Sequence, residues 1–307
     1  MKKTILATLL LLTAPAVRAG VLTGTWNLRW FPSGRAEHRA SQRVEAATIQ
    51  DAADVVRDGI SSRRRPGDHV ILFFQELRDE AACSNLVACI GMTNLSVASV
   101  SAYREFDRRL GWQQEGIVSD LPVVDANFSY WRRSKKVLPP RGCTYALLDG
   151  GEDGLIACYC VHLKSNYGAN KPEIRNLNTM KRELAAEQFL SMVKKPSAPD
   201  GRPVARVLLA GDFNTDPFSR QFEGERTTAM LAEAGFSNCF AGMPPTGRGT
   251  HPGNTRYPDS TLDFIFHRGF AAQTGCSLSP AVPLSDHRMV WLRLETSSRQ
   301  GAPPPGF

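Results

Sequence analysis

The chain has 307 residues, of which 42% are hydrophobic, and its formal net charge is +7 at pH 7. The chain is therefore neither too short nor too polar to bury a sizeable core, and its length fits one large α/β domain or two small ones. The positive charge suits a polyanionic substrate without requiring one, because most basic residues on a protein surface are simply solvated.

The N-terminus has the three parts of a secretory signal peptide. Lys2 and Lys3 precede an apolar run at residues 5–12, and the tripeptide Val17-Arg18-Ala19 supplies a cleavage site. The run is too short to span a bilayer. We therefore predict cleavage after Ala19 and a secreted or periplasmic protein. Removal of residues 1–19 leaves 34 basic and 30 acidic residues, so the formal charge falls to +4.

Hydrophobic periodicity predicts a mixture of strands and helices. Strands are predicted at 21–30, 69–74, 116–124, 144–148, 155–161, 206–210, 262–266 and 289–294, and helices at about 37–60 and 173–194. The turn at 149–154 reads as a hairpin, and residues 243–258 as a long loop. Without a repeat or a clear linker, we predict one domain at 20–295, built from mixed sheets covered by helices, and a flexible tail at 296–307.

Polar residues stand where many of these apolar runs begin or end. They are Asn27, Glu76, His162, Asp212, Asn214, Asp263, Asp286 and His287. Strands that supply rigid placement and ends that supply polar groups are a common way to build an α/β enzyme site. Oxygen ligands from Asn, Asp and Glu suit a hard cation such as Mg²⁺ or Mn²⁺ better than zinc.

Single residues of this set have ordinary structural alternatives. His162 lies in a strand and could be a satisfied core histidine, and Asp212 could cap a turn before Asn214. Glu76 is harder to explain structurally, because an acid at the end of a buried strand needs a partner. Asp263 lies inside an apolar run, which favours a buried pairing role over a surface one.

Six segments in order along the mature chain resemble the endonuclease/exonuclease/phosphatase superfamily. They are Thr25-Trp26-Asn27-Leu28-Arg29, Gln75-Glu76-Leu77-Arg78-Asp79, Val161-His162-Leu163-Lys164-Ser165, Gly211-Asp212-Phe213-Asn214, Leu262-Asp263-Phe264-Ile265-Phe266 and Ser285-Asp286-His287. Any one of them occurs by chance in many chains, whereas six in register are specific. The resemblance implies an α/β fold, a four-layer sandwich of two mixed β-sheets packed face to face with helices outside.

The resemblance also implies roles for these residues. Glu76 would be the principal metal ligand, helped by Asn27 and Asp286, with Mg²⁺ or Mn²⁺ as the cofactor and Ca²⁺ as a further candidate. The other five residues would serve the reaction at the phosphate. Asp212 and Asn214 would bind the metal or the phosphate, or position the attacking water. Asp263 would hold the ring of His287, which would be a general base or a charge stabiliser, and His162 would donate to a phosphate oxygen or the leaving group.

Two arginines favour the deoxyribonuclease I-like branch of the superfamily. Arg29 follows Asn27 by two residues and Arg78 follows Glu76 by two, which in a strand places each pair on one face. By the resemblance, both arginines would face nucleic acid, so we predict a monomeric DNA endonuclease without membrane insertion. A sphingomyelinase-like enzyme, a phosphoinositide phosphatase and a non-catalytic binding module are the alternatives, since core motifs do not choose the substrate.

All seven cysteines lie beyond the predicted cleavage site. In an oxidising compartment some of them should pair, and the odd number leaves at least one unpaired within a monomer. Cys83 with Cys89 and Cys239 with Cys276 are plausible pairs, although sequence alone does not fix the connectivity.

Overall fold

A computed structural model describes residues 20–34, 40–105, 107–134, 136–194, 198–253 and 258–296. The predicted signal peptide at 1–19 lies outside the described residues, and so does the predicted tail, apart from Thr296. Among the helices that are described, none is both long enough and apolar enough to cross a membrane.

The described strands form two six-stranded mixed sheets. In spatial order, the first contains β11 (Ala272–Leu278), β12 (Val290–Glu295), β1 (Gly20–Phe31), β2 (His69–Leu77), β4 (Gln114–Ser119) and β3 (Ser96–Val100). The second contains β5 (Val123–Tyr130), β6 (Gly142–Asp149), β7 (Leu155–His162), β8 (Val204–Asp212), β10 (Asp263–Arg268) and β9 (Ser237–Asn238). Neighbours pair antiparallel except for β1 with β2 and β7 with β8, which are parallel.

Helices cover the outer faces of both sheets. They are α1 (Gln42–Arg63), α2 (Glu80–Ile90), α3 (Pro172–Met192) and α4 (Thr227–Glu233). Ala52 and Val56 of α1 pack with Leu72 of β2 in one core cluster, and the ring of Phe189 on α3 lies 5.2 Å from that of Tyr159 on β7. The predicted four-layer α/β sandwich is confirmed.

Strand β2 shows why its sequence is a continuous apolar run rather than an alternating one. Ile71 and Phe73 join the core between the two sheets, whereas Val70, Leu72 and Phe74 join the core beneath α1 and α2. Successive side chains of a strand point to opposite faces, and here both faces are buried. The run therefore stops only where β2 reaches the polar edge of the sheet.

Several elements differ from the sequence expectation. Helix α1 begins at Gln42 rather than near residue 37, because the side chain of Ser41 caps it by accepting from the amide of Val44. The region 116–124 divides into β4 and the start of β5, which belong to different sheets. Helices α2 and α4 and strands β3, β9 and β11 were not predicted, since short elements give little periodic signal.

All seven cysteines are free thiols in the structure. The pairing of Cys83 with Cys89 is wrong, because both lie on α2, and six residues of helix separate their Cα atoms by about 9 Å, beyond disulfide reach. Cys239 and Cys276 do approach each other: burial and a hydrogen bond with Cys276 raise the pKa of the Cys239 thiol. A disulfide between those two stays a prediction.

Candidate active site

The register of the strands brings the polar residues of the sequence motifs to one edge of the sandwich. In the first sheet, Asn27 on β1 lies opposite Gln75, the neighbour of Glu76 on β2. In the second sheet, His162 on β7 lies opposite Asp212 on β8. Asp212 in turn lies opposite Asp263, the first residue of β10. Both sheets therefore end in a row of ionisable side chains.

Glu76 is a buried carboxylate at the end of β2, 9% exposed. Its φ of 62° breaks the strand and accompanies a bulge against β1. Oε1 accepts from Nδ2 of Asn27 at 3.2 Å, and Oε2 accepts from the backbone N–H of Trp30 at 3.0 Å. The same Asn27 amide donates to Oδ2 of Asp212 at 3.0 Å. Asn27 thus joins the acids of the two sheets.

Asp212 and Asn214 sit on a turn that glycine makes possible. Gly211 has a φ of 147°, and a Cβ there would lie 1.9 Å from the carbonyl oxygen of Val161 on β7. The backbone N–H of Asn214 donates to Oδ1 of Asp212 at 2.8 Å, so the aspartate also caps the turn. Nδ2 of Asn214 donates to the carbonyl of Leu163 at 3.2 Å.

His287 is held from two sides. Its Nδ1 lies 2.8 Å from Oδ2 of Asp263, which is fully buried. Its backbone N–H donates to Oγ of Ser285, which itself donates to the carbonyl of Asn27. This arrangement leaves Nε2 of His287 directed toward Asp212, with 3.9 Å between Nε2 and Oδ2.

His162 lies across from His287. Its Nε2 is 3.6 Å from Oδ2 of Asp212 and 3.8 Å from Oε1 of Glu76. Its backbone N–H donates to Oε1 of Glu115, while its Nδ1 has no hydrogen-bond partner among the described residues. The carboxylate of Asp212 is therefore flanked by two imidazoles on rigid strand ends.

Burial and neighbouring charges separate the two histidines electrostatically. Burial, together with the cation of Arg141, holds the pKa of His162 well below its ordinary value. Burial alone would also lower the pKa of His287, but the carboxylates of Asp263, Asp212 and Asp286 raise it to about 10. Burial and the negative charge of Asp263 raise the pKa of Asp212 to about 7. One imidazole is thus neutral and the other cationic.

The donor set fits a hard cation. Asp212, Asp263 and His287 offer ligand atoms within 4.8 Å of one another, and Glu76 adds carboxylate oxygens at the same edge, where Nδ2 of Asn27 joins it to Asp212. Three buried carboxylates at such short range repel one another, and a divalent cation would relieve that repulsion. Because Oδ2 of Asp263 is already bonded to His287, the oxygens of Glu76, Asn27 and Asp212 are the better ligands for such an ion.

The remaining predicted residues lie at the rim. The side chain of Asp286 is 46% exposed and forms an ion pair with Arg29, whose Nε is 3.6 Å from Oδ2. Arg29 has a φ of 48°, so the regular alternation expected for β1 is lost there. The guanidinium of Arg78 is engaged by Glu45 and Asp79, and its role toward substrate stays a prediction.

Arg141 and Glu115 were missed by the sequence analysis. Nε and Nη2 of Arg141 donate to the carbonyl of His162 at 2.9 and 2.7 Å. Glu115 on β4 accepts from the amide of His162 at 2.8 Å. Arg141 follows two prolines in a predicted loop and has a φ of 59°, so no local pattern marks it. Glu115 precedes an apolar run, which is a weak signal that could have placed it near burial.

The match to protein-family models decides the family: residues 24–287 match the Endonuclease/Exonuclease/phosphatase family. The chain belongs to that family, whose members are hydrolases. No curated protein matches the chain significantly. The match begins in β1 and ends at His287, so it includes all eight polar residues of the site.

Solved structures share the fold at low identity. An endonuclease/exonuclease/phosphatase from Beutenbergia cavernae is 16% identical, with 91% of this chain and 72% of that chain covered and a TM-score of 0.59. D. rerio TDP2 complexed with single strand DNA product is 14% identical, with 90% and 99% covered and a TM-score of 0.55. Sphingomyelinase C from Streptomyces griseocarneus is 16% identical, with 89% and 99% covered and a TM-score of 0.53. At these identities the likeness shows the fold alone.

Proposed function

We propose that the protein is an exported, Mg²⁺- or Mn²⁺-dependent phosphodiesterase that hydrolyses DNA. The observation that carries the proposal is the placement of Asp212 between two imidazoles, with Nε2 of His162 at 3.6 Å and Nε2 of His287 at 3.9 Å. Glu76 and Asn27 complete the same edge. A cluster of this kind can hold a metal ion, an attacking water and a phosphate together without a covalent nucleophile.

The metal would be held principally by Glu76, with Asn27, Asp212 and Asp286 as further ligands, and when bound it neutralises phosphate charge and stabilises the leaving oxygen. Asp212 and Asn214 position the attacking water at the phosphate. Asp263 fixes the ring of His287 through the 2.8 Å contact, so that Nε2 faces the substrate. A well-placed donor of this type contributes roughly 3 kcal/mol to transition-state stabilisation.

The outer residues support a polyanionic substrate. Arg29 is more than half exposed beside the site and can reach a phosphate next to the scissile one. The mature chain has a formal charge of +4 after removal of residues 1–19. These two observations favour DNA over a lipid head group.

The first test is digestion of supercoiled plasmid by purified protein lacking residues 1–19, with Mg²⁺ and again with EDTA. We expect nicking that needs the metal and that falls at least 100-fold in His287→Ala, as for the loss of a positioned donor or base. The matched control is His267→Ala, a histidine of β10 whose ring contacts Gln273 away from the acids; it should nick like the wild type.

A folded protein that leaves plasmid, linear DNA and RNA intact would overturn the nuclease proposal. Release of phosphocholine from sphingomyelin, or of phosphate from a phosphoinositide, would then identify one of the other activities of this superfamily. Export is tested separately, by locating the full chain after expression in a bacterial host and determining whether its N-terminus is Gly20.

A further inference from the structure

A cavity of about 730 Å³ opens beside the candidate active site. Trp30 lies at one end of it, and the backbone N–H of Trp30 donates to Oε2 of Glu76 at 3.0 Å. Arg141 lies along its wall, and Nη2 of Arg141 donates to the carbonyl of His162 at 2.7 Å. The cavity therefore adjoins the edge that carries the two catalytic candidates Glu76 and His162.

Aromatic rings dominate the walls. They come from the end of β1, the loop between β3 and β4, the end of β5 and the residue after it: Trp30, Tyr103, Trp112, Tyr130 and Trp131. Three of the five tryptophans of the whole chain are in this set. Trp131 also belongs to the core between the sheets, whereas the other four rings are not part of that core and are not needed to fill it.

The rings are held in place by the surrounding structure. Tyr103 packs edge to face against Tyr130, with 5.3 Å between ring centroids, and its hydroxyl donates to Glu115. Tyr130 is 48% exposed even so. Trp131 is 4% exposed, and its Nε1 has no hydrogen-bond partner among the described residues. A fixed aromatic wall of this kind is suited to a flat ligand.

The charged and polar side chains around the cavity further restrict the chemical class of its ligand. Arg104 and Arg141 supply positive charge, and Glu105 and Asp107 supply negative charge. Oε1 of Gln113 accepts from Nη1 of Arg141 at 2.9 Å, and its amide nitrogen is a donor that can pair with a base edge. A lipid acyl chain would match the rings but not these charged and polar groups, whereas a nucleobase has both a face for stacking and an edge of donors and acceptors.

We propose that this cavity binds an unpaired nucleobase adjacent to the scissile phosphodiester, so that the enzyme prefers single-stranded or locally unpaired nucleic acid over intact duplex. The inference rests on the proposed nuclease function and adds the substrate class. A base inside a duplex must be unpaired and unstacked before it can enter the cavity, and this costs free energy. A base in a single strand is already unpaired, so the cost is smaller. Stacking on Trp112, in the loop between β3 and β4, and on Tyr130, at the end of β5, supplies the binding.

The test separates base binding from phosphate binding. The probes are an end-labelled single-stranded oligothymidylate and an oligonucleotide of equal length made of abasic residues, both titrated in EDTA and followed by fluorescence anisotropy. We expect Trp112→Leu to weaken oligothymidylate binding about tenfold, as for the loss of one stacked base. Trp112→Phe, which keeps a flat ring, should stay within about threefold of the wild type. All three proteins should bind the abasic oligonucleotide alike.

A second variant protects the test against a local folding defect. Tyr130→Leu removes a half-exposed ring from the other side of the cavity, and it should show the same selective loss for oligothymidylate. The inference would be overturned if the wild type, Trp112→Leu and Tyr130→Leu bound oligothymidylate equally. It would also be overturned if the two leucine variants lost as much affinity for the abasic probe as for oligothymidylate. Trp112-dependent binding to sphingomyelin vesicles would overturn it as well.

Rejection of the base-binding cavity can be distinguished from failure of the proposed nuclease function. If the wild-type protein nicks DNA and the ring variants bind both probes normally, the nuclease proposal stands and the base-binding cavity is rejected. If the wild type cuts no nucleic acid, the nuclease proposal fails whatever the titrations show. Faster cleavage of single-stranded than of duplex DNA, with the difference reduced in Trp112→Leu, would support both.

Discussion

At the scale of single residues, Asn27 has an unusual position for so small a side chain. Its one amide nitrogen donates to both Glu76 and Asp212, which belong to different sheets. Its side-chain oxygen accepts from the backbone N–H of Arg29, which fixes the orientation of the amide. A neutral donor placed between two buried carboxylates reduces their mutual repulsion before any cation binds.

We assign Glu76 as a metal ligand and His287 as a proton or charge carrier, so substitution of the two residues should affect metal affinity differently. Glu76→Ala should lower Mn²⁺ affinity by at least tenfold, because it removes the carboxylate that Asn27 and Trp30 hold at the edge of the sheet. His287→Ala should bind Mn²⁺ like the wild type while losing activity. Isothermal titration with Mn²⁺ measures both, and Glu45→Ala, an acid of α1 paired with Arg78, is the control.

Unchanged Mn²⁺ affinity in Glu76→Ala would refute its assignment as a ligand. A parallel loss of affinity in His287→Ala would instead point to the other arrangement in the structure, in which Asp212, Asp263 and His287 together hold the ion. Both results can be read without any activity measurement, so they do not depend on the choice of substrate.

The site residues were accessible from sequence because each follows or opens a strongly apolar strand. Glu76 and Asp212 are examples, since each directly ends a run whose burial is set by its own composition. Arg141 was not accessible, because its position depends on a left-handed backbone conformation and on the carbonyl of His162, 21 residues away. Contacts of that kind arise from tertiary packing and leave no local pattern.

At the scale of elements, α3 is anchored by a buried ion pair. Arg182 is 1% exposed, and its Nε donates to Oε1 of Glu225 at 2.8 Å. Its Nη1 donates to the carbonyl of Lys164 at 2.9 Å, in the loop after β7. Asn166 of the same loop donates to the carbonyl of Asn214. Arg182 therefore does not face solvent or substrate, and its role is to position the loop.

We predict that Arg182→Met lowers the free energy of unfolding by about 3–5 kcal/mol, because it leaves the carboxylate of Glu225 buried without its partner. Arg175 lies on the same helix but is exposed and makes a single hydrogen bond to the carbonyl of Ala169. Arg175→Met should change stability by no more than about 0.5 kcal/mol. Urea denaturation of both variants measures the difference, and equal effects would refute the anchoring role.

Long elements with a clear period were predicted within a few residues, and short ones were not. Helix α3 was expected at 173–194 and extends over Pro172–Met192, because its length gives several turns of periodic signal. Strand β11 was missed, since most of its residues are half-exposed and polar or small. Its place in the sheet depends on pairing with β12 rather than on its own hydrophobicity.

At the scale of the whole molecule, the largely apolar interface between the sheets contains a polar connection centred on Glu115, near the candidate site. Glu115 of the first sheet accepts from the hydroxyl and amide of Thr144 and from the amide of His162, all in the second sheet. Tyr103 donates to the same carboxylate. Burial raises the pKa of Glu115 to about 7, against the opposing effects of Arg141 and these donors.

This connection should make stability depend on pH. A folded-state pKa raised above the ordinary value of 4.5 means that the folded protein binds the proton more tightly. The stability that protonated Glu115 contributes is therefore full below pH 4.5 and is lost as the pH rises through about 7. Relative to Glu115→Gln, the wild type should lose up to about 3 kcal/mol across that window.

Urea denaturation in EDTA from pH 4.5 to pH 8 provides the measurement. Subtracting the curve of Glu115→Gln from that of the wild type removes the contributions of other titrating groups that the two proteins share. Glu152→Gln, at an exposed position on the turn between β6 and β7, is the control and should leave the curve within about 0.5 kcal/mol of the wild type. A difference that is flat with pH would contradict the raised pKa.

The pairing of β1 with β12 joins the two ends of the described chain, with Gly20 opposite Glu295. Asn27 is contributed by the first strand, whereas Asp286 and His287 lie just before the last. During synthesis, β1 therefore leaves the ribosome about 270 residues before its partner β12 can add to the sheet. A nascent chain that stops short of β12 has Asn27 but not an anchored His287, so the candidate site cannot assemble until that strand has been made.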